Sequence, residues 1–247
     1  MGIHQCKACG STDVKKDRSL GGRLVCSRCS STLIGFKERK NRPGIYQGYK
    51  SLNPGINISS DDWQYMGPFL VCLVLFLATS VGVLSKSDFA YWSGGLLLQP
   101  HRIITNHFIH LDFGHLLSNT VGIVIARYFL RMLGLSNKLF FIMLISLLMP
   151  LQVLFHWLFD IFIINNPMSL SAGLSGVLFG VDAFILLASV YGKYRFMGVE
   201  IGLVKNHQAS QTLIVLTGFS VVYSFVPGVS LIGHLTGFVA GSLLFLF

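Results

Sequence analysis

Apolar and polar residues fall into long blocks rather than into the short periods of half-buried helices or strands. The first 66 residues are mostly polar, and six apolar stretches follow at 67–84, 115–133, 139–159, 171–190, 212–226 and 230–247. A helix crossing a hydrocarbon layer of ~30 Å at a rise of ~1.5 Å per residue needs apolar blocks of about this length. The pattern predicts six membrane helices, with the fifth stretch short for a span and dependent on its flanks. Trp63 and Tyr65 stand at the foot of the first stretch, where amphipathic aromatics favour the membrane–water interface. A mixed polar segment, 85–114, separates the first two stretches.

Composition supports the same class. The chain is 52% hydrophobic and 12% charged, with a mean hydropathy of +0.63, which excludes an ordinary soluble domain of 247 residues. Charge is concentrated at one end: residues 1–50 hold 11 of the 19 Lys/Arg and 3 of the 10 Asp/Glu. No cleavable signal pattern is seen, because the first apolar run begins only near Gly67, after a polar module. Arg127, Arg131 and Lys138 lie between the second and third stretches, and Lys193, Arg195 and Lys205 between the fourth and fifth. The connections 160–171 and 226–229 carry no Lys or Arg. Since basic loops stay inside, both termini are predicted to be cytoplasmic, with spans two, four and six starting at the outer face. The expected location is a bacterial cytoplasmic membrane.

The polar end divides further. Cys6-x-x-Cys9 and Cys26-x-x-Cys29, with 16 residues between the pairs, offer four thiolates to one cation. This spacing resembles a zinc ribbon, a closed tetrahedral site with no open position for catalysis. Residues 1–35 are therefore read as a zinc-ribbon-like cytoplasmic module, 36–66 as a polar linker broken by Pro43-Gly44 and Asn53-Pro54-Gly55, and 67–247 as the membrane domain. Basic charge beside a membrane fixes topology or meets anionic lipid, and nucleic acid is not the expected partner. A cytoplasmic protein partner of the ribbon is the alternative. Cys72, inside the first apolar stretch, reads as packing.

Chemistry enters with Gly173-Leu174-Ser175-Gly176, near the start of the fourth stretch, and Gly233-His234, near the start of the sixth. Both stretches enter from the outer side, which brings a serine and a histidine to matched depth. In such a pair the imidazole takes the serine proton as the oxygen attacks a carbonyl. His115 and Asn119 are four residues apart, on one helix face, and can both donate toward a developing oxyanion. Taken alone, a serine between glycines in an apolar helix is usually a packing residue. Gly176/Gly180 and Gly233/Gly237/Gly241 do form small-residue seams. Those seams help the chemical reading, since close approach of the two spans would bring Ser175 to His234.

Residues 67–247 resemble the rhomboid family of intramembrane serine proteases. The resemblance rests on the His110-x4-His115-x3-Asn119 pattern, the Gly-x-Ser-Gly and the last-span Gly-His, in this order. It implies an all-α membrane protein, a six-helix bundle here preceded by the four-cysteine ribbon. It implies Ser175 as nucleophile and His234 as base and acid. His115, Asn119 and the Ser175 N–H would form the oxyanion site, His110 would brace the outer loop, and Arg102 would pin it. Two positions depart from the family: His101 precedes Arg102 where many members carry tryptophan, and Phe179 stands where a tyrosine often stacks on the base.

The implied activity is cleavage of membrane-anchored proteins in or beside their transmembrane segment, with no catalytic cofactor and a structural zinc in the ribbon. An inactive client-binding relative would be expected to lack Ser175 or His234, and both are present. A transporter would want an internal repeat and charges along a midplane path, and only Asp182 fits that description. The four outer histidines (101, 107, 110 and 115) also suggest a metal site. Against that, His110 and His115 would point about 140° apart on a helix. Asp182, seven residues after Ser175, is expected to hydrogen-bond toward the sixth span near Ser242.

Overall fold

Each apolar block folds into a helix, because a backbone surrounded by hydrocarbon must satisfy its own N–H and C=O groups. The computed structural model describes residues 14–17, 23–26 and 60–247. The chain forms two units, Met1–Ser51 and Leu52–Phe247. In the first, strands β1 (Val14–Asp17) and β2 (Arg23–Cys26) pair antiparallel, with Val14 opposite Cys26. Cys26 is buried at the end of β2, while Cys6, Cys9 and Cys29 lie outside the described residues.

In the second unit the six blocks become α1 (Trp63–Ser80), α4 (Phe113–Met132), α5 (Phe140–Leu158), α6 (Ser175–Tyr191), α7 (His207–Tyr223) and α8 (Leu231–Phe245). Between α1 and α4 lie α2 (Lys86–Phe89), β3 (Tyr91–Trp92) and α3 (Arg102–Thr105). Strand β3 pairs antiparallel with β4 (Leu170–Ser171), which precedes α6. A hairpin, β5 (Lys193–Phe196) and β6 (Val199–Leu203), joins α6 to α7. Among the described helices, α1 and the run Phe140–Ile164 are long and apolar enough to cross a bilayer alone. A third span results if Arg102–Phe108 and Phe113–Met132, bent by 96°, are taken together; α6 and α8 are apolar but shorter.

Three helix starts differ from the apolar pattern, each for a local reason. Helix α1 begins four residues early, because Asp62 before it takes Arg127 at 2.7 Å and Arg131 at 3.0 Å. Gln64 in its first turn accepts the Phe141 N–H at 2.9 Å. Tyr65 is buried against Phe141, with ring centroids 4.7 Å apart, so it is a packing residue and not the interfacial anchor its position suggested. Helix α7 begins at His207 because Asn206 caps it, accepting the Ala209 N–H at 3.0 Å. Helix α6 begins only at Ser175, because Gly173 has φ +115° and its N–H turns aside to the Asn106 carbonyl at 2.8 Å. Few residues other than glycine adopt that φ.

Helix α6 is central, packed against α4, α5, α7 and α8. Its closest neighbour is α8, along the glycine seam: a Cβ on Gly237 would fall inside the Gly176 carbonyl, and one on Gly241 inside that of Gly180. Large apolar side chains also cover the outside, among them Val74, Val124, Phe219 and Leu235. Such a surface suits lipid rather than water.

Candidate active site

Ser175 is the first residue of α6 and His234 the fourth of α8. The glycine seam holds these two helices side by side, and Ser175 Oγ stands 2.9 Å from His234 Nε2. On the other edge of the imidazole, Nδ1 lies 2.7 Å from the buried Ser224 Oγ, next to the C-terminus of α7. Ser224 Oγ–H donates to the Ser220 carbonyl at 2.9 Å, which leaves the oxygen to accept from Nδ1–H. That bond fixes the tautomer: Nε2 keeps its lone pair and accepts from the Ser175 hydroxyl. Phe179, one turn into α6, stacks on the ring at 4.2 Å and 13°. Gln152 of α5 donates to the Gly233 carbonyl at 3.2 Å and steadies the same turn of α8.

The histidine–asparagine pattern gathers on the adjacent side. Asp112 caps α4 by accepting the His115 N–H at 2.8 Å. His115 Nε2 and Asn119 Nδ2 both face Gly173, where a Cβ would strike the His115 ring and sit 3.4 Å from Asn119. So glycine is required there by space as well as by φ. Asn119 Nδ2 also donates to His110 Nε2 at 2.7 Å, while His110 Nδ1 lies 3.2 Å from the Phe108 carbonyl, its hydrogen-bond partner. His110 precedes the start of α4, so the helical angle expected between it and His115 does not apply. Their rings meet edge to face, with centroids 5.1 Å apart. The Ser175 N–H belongs to the first turn of α6, where N–H groups lack intrahelical acceptors.

The outer segment is tied down by buried polar contacts. Arg102, only 6% exposed, donates to the Ser87 carbonyl at 2.6 Å, to the Ala90 carbonyl and to Gln99 Oε1 at 2.6 Å. His101 Nε2 lies 3.1 Å from the Asp88 carbonyl and His107 Nε2 3.2 Å from that of Met149, so these two histidines serve the loop. A second network joins residues that no local spacing in the sequence connects. Asp160, beyond α5, accepts from Tyr91 Oη at 2.9 Å and lies 3.5 Å from His156 Nε2, with the Tyr91 and His156 rings stacked at 4.5 Å. It joins β3 to the end of α5.

A cavity of about 340 Å³ opens beside the serine. Helix α6 forms its floor and α4 and α7 its walls, with Asn119, Ser175 and His234 at one end and Asp182 further in. Asp182 does not reach the sixth span as expected. Its Oδ2 accepts from Thr217 of α7 at 2.5 Å, and Ser242 instead donates to the Phe238 carbonyl of its own helix. Seven residues carry Asp182 about two turns along α6, onto the face that α7 covers.

A serine hydroxyl bonded to an imidazole, enclosed by apolar helices, is the arrangement of a membrane-embedded serine hydrolase. The Rhomboid domain model matches residues 97–247, and the chain belongs to the rhomboid family. The family is one of intramembrane proteases acting on transmembrane substrates, so the chain is an integral membrane protein with peptidase character. No curated protein matches it.

Proposed function

We propose that the chain is an intramembrane serine endopeptidase that cuts membrane-anchored proteins in or next to their transmembrane segment. The observation that carries this reading is the 2.9 Å contact between Ser175 Oγ and His234 Nε2, with Nδ1 held by Ser224. As Ser175 attacks the scissile carbonyl, its proton passes to Nε2. The imidazolium that forms is stabilised by Nδ1–H to Ser224, and Nε2–H then protonates the leaving amine. Water repeats the cycle on the acyl-enzyme. His115, Asn119 and the Ser175 N–H stabilise the oxyanion, His110 holds Asn119, and Arg102 holds the outer loop. Ser224 was not expected from the sequence. Only seven residues, 224–230, join α7 to α8, and that shortness is the signal that could have found it.

In this reading the membrane domain has six spans, α1 and α4 to α8, with both termini in the cytoplasm of a bacterial cell. Helices α6 and α8, at 17 and 15 residues, are shorter than a typical span. Their first turns would lie below the outer surface, reached by water from that side. The four cysteines hold one structural zinc. The antiparallel β1–β2 hairpin with Cys26 buried at its end suits a ribbon of that kind. Zinc there supplies folding energy and no step of the reaction. The test is cleavage of a generic transmembrane reporter by purified protein, which Ser175→Ala should abolish.

A further inference from the structure

The glycine seam, the serine–imidazole contact and the loop network leave one half-buried acid, Asp182, without a task. Asp182 lines the same cavity as Ser175 and His234. One of its oxygens is satisfied by Thr217. The other makes no hydrogen bond among the described residues and is not sealed from the cavity. The remaining lining is mostly apolar, with Ile125, Phe129, Leu213 and Leu216 around it. Once the cavity is filled, that carboxylate oxygen needs a donor from whatever fills it, as buried polar groups require. A substrate segment that fills the cavity also displaces any water that served it.

Resting on the protease reading, we propose that Asp182 selects substrates whose transmembrane segment carries a hydrogen-bond-donating side chain, such as asparagine or lysine, on the membrane-inward side of the cut bond. The spacing follows from the fold. Seven residues of α6 separate Asp182 from Ser175, or roughly 10 Å along the helix axis. A substrate strand at about 3.3 Å per residue covers that distance in about three residues, and a helix in about seven. Because the chain must be extended where it meets the serine, the favoured donor lies three to five residues inward. Helices α4 and α7 both pack on α6 and scarcely on each other, which leaves the cavity between them for that segment. A site built around an acceptor discriminates against a substrate lacking the donor, because the acceptor is then left buried and unpaired.

The test uses the full-length protein in liposomes and a transmembrane reporter with a mapped cut site. Leucine, asparagine or lysine is placed singly at each position two to eight residues inward of the cut. Within each enzyme variant the ratio of kcat/KM for donor over leucine is read, so a general loss of activity cancels. Wild type should favour the donor by about tenfold or more at one position, and Asp182→Leu should bring that ratio to one. Asp182→Asn should lose more of the lysine preference than of the asparagine preference. Thr217→Val, which keeps the carboxylate and removes its internal donor, should keep or raise the ratio, and it serves if Asp182→Leu does not fold. A flat wild-type profile, or a preference that persists in Asp182→Leu, would overturn the proposal and leave Asp182 as an α6–α7 tether. Fluorophosphonate labelling of Ser175 separates the two readings. Labelling without a donor preference defeats this inference alone, and wild type that neither labels nor cleaves defeats both.

Discussion

Ser224 Oγ lies 2.7 Å from Nδ1 of His234, on the edge of the ring away from Ser175. A hydroxyl thus occupies the place where many serine hydrolases set a carboxylate. It cannot carry a charge, but it fixes which nitrogen holds the proton. It also belongs to the end of α7, so the helix that walls the cavity is the one that orients the base.

Replacing Ser224 by alanine should lower kcat by roughly tenfold, more than it changes KM. A buried Nδ1–H left without an acceptor costs on the order of 1–3 kcal/mol and lets the ring rotate or change tautomer. Ser224→Thr, which keeps the hydroxyl, should recover most of the loss. Wild-type kcat in Ser224→Ala would remove Ser224 from the relay.

The proposed oxyanion donors should behave differently from the proposed base. His115→Ala and Asn119→Ala are each expected to slow turnover by about two orders of magnitude while leaving measurable cleavage. Because Asn119 also donates to His110 at 2.7 Å, the Asn119 and His110 substitutions should be non-additive in a double-mutant cycle. Strict additivity would mean that His110 does not act through Asn119.

The glycine seam predicts a structural failure with a catalytic consequence. In Gly237→Ala the new methyl meets the Gly176 carbonyl, next to the nucleophile. Overpacking of this kind costs typically 1–3 kcal/mol, and the displacement falls on the Ser175–His234 distance. A lowered Tm should accompany a large loss of fluorophosphonate labelling. Gly218, where a Cβ meets nothing within 4 Å, is the control, and Gly218→Ala should label normally.

Metal removal probes the other unit. Under the proposed reading, Cys6→Ser or Cys26→Ser should release the zinc, measured on purified protein, and unfold the hairpin. The proposed four-cysteine site would have no metal-bound water to offer, and residues 1–51 form a different unit from the one that holds Ser175. Cleavage of a generic reporter should therefore stay near wild type. Loss of labelling at Ser175 in a variant that is otherwise folded would show that the ribbon acts on the site.

The six blocks were legible because hydrocarbon forces helices wherever the chain is apolar for long enough, and their order placed Ser175 and His234 near matching helix starts. What pattern could not supply was direction around each helix. Asp182 faces α7 and Thr217 rather than α8 and Ser242 because α6 packs on four helices at once, and apolar residues on every side give no phase. Tyr65 differs from its expected place for the same reason: an aromatic near a helix start suits the interface or the core equally, and Phe141 decides between them. His110 and His115 are not helical neighbours as their spacing suggests, because Asp112 starts the helix between them. The Tyr91–His156–Asp160 network joins residues far apart in sequence, beyond the reach of any local spacing.

The most direct measurement of the central claim is cleavage of a transmembrane reporter in liposomes together with fluorophosphonate labelling, for wild type, Ser175→Ala, His234→Ala and the double variant. The contact at 2.9 Å predicts that wild type cleaves and labels. Each single variant should lose cleavage, and the double should be no worse than either, since the two side chains act as one unit. Cleavage or labelling that persists in folded Ser175→Ala would contradict the account.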